Sequence, residues 1–436
     1  MESTVTATPD APATAPAPAP RSGLGPRFRA LLVASGAANL GDGILTVAVP
    51  LIGIGFTRSP GEITLLTAAA WLPWLVLGIV AGAVVDRADR RTVQLVALTA
   101  RAVLLAGACW LAVSGSLTFA WLLALVLAYG VTEVFTDIAA GALVPELVAA
   151  DRLPVANGRI VSVQEVTNTF LGSPASGALL ALGTGWALGA PAGLAALAVA
   201  VLWRGLPGSY RQARPTPVGD GTSRAARRAL ADVREGLAFT LRHRVLRPLV
   251  VSGGLVNMTS TAYISVFVLW AVGPDSRVGL SAAVYPLLFT LSAVGAVLGS
   301  FLVPRTLRVT SEVRVMVVGW SIAFAALAVP VLLPHPVAIG AALLVMGVSV
   351  THGNVVSQTV RQRIVPRELL GRTGGATRTL AFGLMPVGAL LGGVVAEAFG
   401  LAATLLGATA VSLCVVAGFA ASMRGVTPRD LAAPAA

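Results

Sequence analysis

The sequence is short of charge, has few cysteines and contains no lysine. Only 11% of its 436 residues are charged, whereas soluble domains carry about 25%. At 56% hydrophobic residues, the chain has more apolar surface than a water-facing fold can bury, so its solvent is lipid. The two cysteines, Cys109 and Cys414, sit in apolar runs, which argues against a disulfide framework and leaves no zinc spacing. No GxxxxGK[ST] nucleotide loop appears, which argues against ATP drive. There is no nucleophile–base pair, metal cluster or cofactor motif. An enzyme is therefore not expected, nor is a bound metal or cofactor.

What is present is arginine and apolar sequence. The net charge of +12 invites a nucleic-acid reading, but on a membrane protein basic residues mark the cytoplasmic side, and no nucleic-acid partner is expected. A composition rich in Ala, Gly, Val, Pro and Arg without Lys suits a GC-rich genome, hence a bacterial cytoplasmic membrane. Residues 1–26 are Ala/Pro/Thr-rich with no apolar core, so they read as a disordered tail rather than a cleaved signal peptide.

Apolar runs of spanning length recur at 29–56, 63–85, 92–114, 119–141, 158–182, 184–203, 246–272, 279–303, 313–333, 336–358, 374–398 and 401–422. They predict an all-α membrane protein of twelve helices. Arg58 and Arg277 fall in odd-numbered loops and Arg101 falls inside helix 3. The remaining 28 of the 31 arginines (31 less these three) lie on one side, which places both termini in the cytoplasm.

The expected layout is a tail (1–26), a six-helix bundle (27–205), a cytoplasmic central loop (206–245), a second six-helix bundle (246–424) and a tail (425–436). In the central loop Leu230, Val233, Leu237 and Leu241 share one helical face, away from most of Arg227, Arg234, Arg242 and Arg244. This fits either a basic amphipathic helix on the inner leaflet or a solvated linker helix. The two bundles echo each other. Ser35–Asn39 recurs as Gly253–Asn257, Gly82–Arg91 as Gly299–Arg308, and Leu143–Leu147 as Ile364–Leu369, each time about half the chain apart.

The charged stretch between helices 2 and 3 has the pattern Gly82-x-x-x-Asp86-Arg87-x-x-Arg90-Arg91. In that position it resembles the signature loop of the major facilitator superfamily. Within the superfamily the chain resembles the bacterial macrolide-exporter and enterobactin-exporter type of drug–proton antiporters, on Leu40–Gly43, the VPEL loop, the segment before helix 7 and VPRELLGR after helix 10. The resemblance implies two pseudo-symmetric six-helix bundles working by alternating access. It also implies a gating loop in which Gly82 permits close helix approach and Asp86 meets the N-terminus of helix 11. Arg87, Arg90 and Arg91 would hold that loop at the inner leaflet. The bland reading of the same loop is a topogenic positive segment. In helix 5, Gly172, Pro174 and Gly177 partly match the family's antiporter motif, with Ser173 and Ala178 departing from it.

Ionisable residues at bilayer depth are functional candidates by default. Asp42, Glu133 and Glu165 are the candidates for the coupling proton. For Asp42 a structural hydrogen bond with Asn39 or helix 7 is the alternative, and for Glu133 direct contact with a cationic substrate. Arg101 and Asp137 are the expected structural ion pair. The resemblance places helices 1, 4, 7 and 10 around the cavity, which makes Asn39, Asn257, Ser260, Tyr263, His352, Asn354 and Gln358 substrate-contact candidates. Trp71, Trp74, Tyr129, Trp270, Tyr285 and Phe289 are the aromatic candidates.

The reading is a secondary exporter of a drug-like or natural-product small molecule, expected to be monomeric, driven by a proton gradient and contacting protons, substrate and lipid. A siderophore or metabolite exporter is the near alternative, and a non-transporting membrane receptor or scaffold the distant one.

Overall fold

The computed structural model describes residues 24–211, 235–365, 381–427 and 430–431. Along them run α1 (Pro26–Gly53), α2 (Pro60–Arg87), α3 (Arg90–Val113), α4 (Phe119–Leu147), α5 (residues 153–182) and α6 (Thr184–Gly205). Then follow α7 (Leu246–Ala271), α8 (Tyr285–Val309), α9 (Glu312–Ala326, resumed at Val329–Leu332), α10 (Pro336–Ile364), α11 (Met385–Phe399) and α12 (Leu401–Ser422). Among the described residues, 11 helices are long and apolar enough to cross a membrane. The exception is α5, where Leu153–Glu165 and Ser173–Leu182 are separated by a π-helical turn, Val166–Gly172. Pro174 follows that turn at once. It offers no N–H to the preceding turn and its ring crowds it, so the ladder widens there.

Polar caps start the helices where the chain leaves the apolar region. Ser59, Asp89, Thr118 and Ser311 accept from backbone amides in the first turns of α2, α3, α4 and α9. Gly183 (φ 125°) and Gly400 (φ 85°) turn the chain between α5 and α6 and between α11 and α12. One sequence-based helix position is corrected. The expected helix 8 at 279–303 is shifted to Tyr285–Val309, because Val272 and Leu280 pair as an isolated bridge and hold the preceding apolar residues in a turn. The Gly299–Arg308 copy of the charged loop therefore lies within α8. The residues 1–23 of the tail, 212–234 of the central loop and 366–380 before α11 lie outside the described residues. With them lie Arg227, Leu230, Val233, Arg234 and most of VPRELLGR, while 235–242 is helical.

The helices pack in two groups whose pairings correspond. α1 lies against α6, α3 against α4 and α6, and α2 against α4. In the second group α7 lies against α11 and α12, α8 against α10, and α9 against α10. Across the groups α2 meets α11 and α5 meets α8.

The apolar clusters differ between the two ends. At the arginine-poor face one cluster joins both groups: Val47, Leu51 and Ile63 pack with Val266, Phe267, Tyr285 and Leu288. At the arginine-rich face the described residues of the two groups form separate clusters, one around Phe28, Leu31 and Leu202, the other around Leu246, Val315 and Phe419. The bundle is thus sealed at one end by shared packing. Outward-facing Trp110, Trp121, Trp186 and Trp203, all more than half exposed, form the surface that meets lipid.

Candidate functional site

Three helices of the first group bring charge together in the interior. Arg101 on α3 lies 11 residues beyond Arg90, about 16 Å along the helix. Its side chain is 2% exposed, and a guanidinium so deeply desolvated requires anionic partners. Nη1 donates to Asp42 Oδ1 on α1 at 2.8 Å, and Nη2 donates to Glu133 Oε2 on α4. Nε donates to Thr132 Oγ1 at 3.3 Å. The Tyr129 hydroxyl donates to the same Asp42 oxygen, and Arg101 Cζ stands 4.6 Å from the Tyr129 ring centroid, a cation–π contact. Tyr129, Thr132 and Glu133 can all take part because i, i+3 and i+4 share one helix face.

One guanidinium against two ionised carboxylates leaves an excess of one negative charge. A proton or a cationic ligand neutralises it. The expected partner of Arg101 was Asp137, and this is corrected: the ion-pair contacts go to Asp42 and Glu133. Asp137 lies one turn of α4 nearer the arginine-rich face, and its charge still acts on Arg101. The alternative role for Asp42, a structural hydrogen bond with Asn39, is not what forms. Asn39 Nδ2 donates to its own helix at Ser35 O, 2.9 Å away. A cavity of about 270 Å³ opens beside Asp42 between α1, α3, α4 and α5, with Asn39, Asp137 and Gln164 on its wall.

Other expected site residues lie elsewhere. Glu165 is exposed at the end of the first piece of α5 and stands apart from the cluster. Tyr263, 4% exposed, donates its hydroxyl to Leu327 O at 2.9 Å and stacks on Phe267, so it is a core residue. His352 joins α10 to α8, with Nε2 3.2 Å from Thr306 Oγ1 and Nδ1 2.9 Å from Val348 O. Asn354 accepts from Trp320 Nε1 at 3.3 Å, and Gln358 accepts from Arg361. Asn257 donates to Ala381 O at 3.2 Å, and Ser260 is half-buried on the same helix. None of these meets the Asp42–Arg101–Glu133 cluster. Trp71 and Trp74 pack on Phe382 between α2 and α11, and Trp270 donates to Pro330 O. Tyr285 and Phe289 pack edge to face in the second group.

The signature loop divides its labour. Arg90 is buried rather than placed at the leaflet: it pairs with Glu146 at 2.6 Å and donates to Ala142 O, both on α4. Arg91 donates to Trp203 O on α6. Asp89 caps α3 and also accepts from Ser209 Oγ (2.5 Å) and the Tyr210 amide (2.6 Å), tying the start of the central loop to the first group. Partial burial disfavours ionised Asp89, but the hydrogen bonds from Ser209, Thr92 and Tyr210 outweigh it and hold the carboxyl below its ordinary pKa. Asp86 is exposed, Arg87 half-buried, and no described atom lies close to where a Cβ on Gly82 would stand. The start of helix 11, their expected partner, falls at 366–380, outside the described residues.

The helix 5 motif marks two close approaches. Gly172 lies against Gly43 of α1, where a Cβ would come 2.7 Å from the Gly43 Cα. Gly177 faces α8 across the groups, where a Cβ would come 2.6 Å from Ala283 O. Pro174 starts the second piece of α5. At the same sealed end, Arg58 Nη1 donates to Val272 O at 2.8 Å, just past α7. Glu397 of α11 accepts from Ser59 Oγ (3.0 Å) and the Gly61 amide (3.1 Å) at the start of α2. Each contact sets a charge against a helix end of opposite polarity in the other group. Sequence reasoning missed these roles for Arg58, Glu397, Glu146 and Tyr129. Only Tyr129 carried a signal, its position one turn before Glu133. Among the described residues no His/Cys/Asp/Glu cluster has a metal-binding arrangement.

The transmembrane secretion effector family matches residues 19–434, nearly the whole chain. The protein belongs to that family, within the major facilitator superfamily. It is 29% identical over 416 residues to the multidrug efflux pump Tap of Mycobacterium tuberculosis, covering 90% of this chain and 92% of that one. It is 27% identical over 398 residues to Tap of Mycolicibacterium fortuitum, covering 86% and 90%. Its fold is that of a solved bacterial homolog of the human lysosomal transporter Spinster, in an inward-facing and unoccupied conformation (TM-score 0.70, 17% identity, 94% of this chain and 98% of that one). The nucleoside transporter NupG shares it too (TM-score 0.68, 15% identity, 91% and 99%). The chain is a multi-pass membrane transporter that acts on small molecules, not an enzyme.

Proposed function

We propose that this transporter exports drug-like or natural-product molecules across a bacterial cytoplasmic membrane in exchange for protons. The arginine-rich face and both termini lie in the cytoplasm. The observation that carries the reading is the buried cluster in which Arg101 holds Asp42 and Glu133 from two different helices. Its excess negative charge fits one proton. Loading that proton loosens the hold of Arg101 on one carboxylate and frees α1 and α4 to shift relative to α3. A state with the external face open loads the proton, and a state with the cytoplasmic face open releases it. A ligand whose binding is tied to the same shift is carried the other way. Likeness to multidrug efflux pumps supports export and the substrate class. Sealing at the arginine-poor face corresponds to the cytoplasm-open half of the cycle.

The test uses everted membrane vesicles with an acidic interior and a panel of macrolides, lipophilic dyes and siderophores. A compound that the chain exports should collapse the pH gradient, and Asp42→Asn should abolish the collapse while the protein stays inserted. An unchanged collapse in Asp42→Asn would remove Asp42 from the coupling site.

A further inference from the structure

Tyr129 carries no charge, yet it touches both signs of the buried cluster. Its hydroxyl donates to Asp42 Oδ1 on α1, and its ring faces Arg101 of α3, with Cζ 4.6 Å from the centroid. It stands one turn of α4 before Glu133. The ring also packs against the apolar cluster around Leu45, Leu105 and Leu122, which fixes where the hydroxyl can reach. The polar end and the ring are thus both committed inside the protein.

The two carboxylates are held unequally as a result. Glu133 takes Nη2 of Arg101, whereas Asp42 takes Nη1 and the phenol at one oxygen. Asp42 is also the better buried, its side chain 10% exposed against 22% for Glu133. A hydrogen bond to a charged acceptor is about twice as strong as one between neutral groups, so the phenol stabilises a carboxylate more than a carboxyl. The charged groups facing Asp42 are Arg101 on α3 and Glu133 and Asp137 on α4. The other helices packed on α1 carry theirs at exposed positions or helix ends: Glu62, Asp86 and Arg87 on α2, Arg159 and Glu165 on α5, Arg204 on α6 and Arg247 on α7. The phenol's bond joins α4 to α1, two helices that come from different parts of the first group, so it forms or parts as they shift.

We infer that Tyr129 is a positioning residue for proton discharge: its hydroxyl stabilises the Asp42 carboxylate while the cytoplasmic face is open, and parts from it when α1 and α4 shift. The inference rests on the proton-coupled reading above. On discharge the Asp42 O–H bond breaks and the proton passes to water. The Tyr129 hydroxyl then donates to the carboxylate left behind, beside Arg101. In the opposite state, without that donor, the carboxylate is the readier to load. Tyr129 itself neither gains nor loses a proton, because a phenol hydroxyl can turn to suit its partner.

The experiment follows substrate-driven proton efflux from everted vesicles with an acidic interior, while the outside pH, on the cytoplasmic side, is varied. The probe is erythromycin or ethidium, whichever the wild-type chain moves. Efflux falls as the outside turns acid, because the site no longer discharges. Tyr129→Phe keeps the ring on Arg101 and removes the hydroxyl. The midpoint of the fall should move about one pH unit toward alkaline, a tenfold tighter hold on the proton, as expected for one lost hydrogen bond to a charged group. The rate at alkaline outside pH should stay near wild type. A ring-fluorinated tyrosine placed at 129 keeps the shape and the hydroxyl but is a stronger donor, so it should move the midpoint toward acid. Because it preserves the packing, it decides the matter if Tyr129→Phe does not fold. A midpoint unmoved by either change, or efflux lowered at every pH without a shift, overturns the role of Tyr129 while leaving proton coupling intact. No proton movement by the wild-type chain with either compound overturns the coupling reading and this role with it.

Discussion

The two helix groups treat buried polarity differently. The first buries a guanidinium, two carboxylates and a phenol in mutual contact. The second buries hydroxyls, and several are satisfied close at hand, while Thr290 Oγ1 and Thr310 Oγ1 have no partner among the described residues. Thr261 donates to Asn257 O, Thr404 to Gly400 O and Thr409 to Leu405 O, all one turn back along their own helices, while Thr259 and Ser412 lie 2.6 Å apart between α7 and α12. A hydroxyl that bonds within its own helix carries no charge and commits no neighbour. A buried arginine commits every helix that supplies it an anion. The lesson is that one group is electrically responsive and the other is a neutral counterpart, although their helices pair in corresponding ways.

The contrast can be broken by substitution, and Arg101 gives the largest effect. Arg101→Leu strands Asp42 and Glu133 without their cation and should cost about 3–5 kcal/mol, enough to abolish a stable inserted fold. The measure is thermal unfolding followed by size-exclusion chromatography in detergent. A variant as stable as the parent would mean that the cluster is not a structural demand of the first group.

The sealed end gives a smaller effect. Arg58→Ala with Glu397→Gln removes two charge-to-helix-end contacts, each worth about 0.3–1 kcal/mol. Spin labels at Ser116→Cys and Ser281→Cys should then report a larger share of states open at the arginine-poor face. An unchanged distance distribution would assign the seal to apolar packing alone.

Asp89 sharpens the comparison on the cytoplasmic side. Its folded pKa lies below its unfolded value, so the stability it adds is present above the unfolded pKa and is lost as pH falls through the folded one. Asp89→Asn should therefore cost about 1 kcal/mol near neutral pH, the usual weight of a helix cap. The gap from wild type should narrow in unfolding scans run toward the acid range. A gap independent of pH would mean that the cap acts without its charge.

The smallest effect belongs to the second group. Thr259→Val with Ser412→Ala should cost less than about 1 kcal/mol and leave proton coupling unchanged. A loss of coupling there would end the division between the groups.

Much of this was legible in the chain. Apolar run lengths fixed the order of the helices, and the arginine pattern separated the two faces. The depth of Asp42, Glu133 and Arg101 followed from residue counts. The pairing did not follow. Counting from the helix ends puts Arg101 level with Asp137, but a long flexible side chain can reach a turn further, where both Asp42 and Glu133 wait. Rotation of α7 and α10 was equally hidden, which is why Tyr263 and His352 turned out to be packing residues. Arg90 read as a leaflet anchor because its partner, Glu146, lies 56 residues away, and no periodicity links two helices at that distance.

The central claim is that the first group carries a titrating carboxylate pair in its interior. Infrared difference spectroscopy between neutral and acidic pH tests it directly and needs no substrate. The wild-type protein should show a protonated-carboxyl band that is lost when Asp42→Asn and Glu133→Gln are combined. A band unchanged in that double variant would place the titrating group elsewhere and contradict the account.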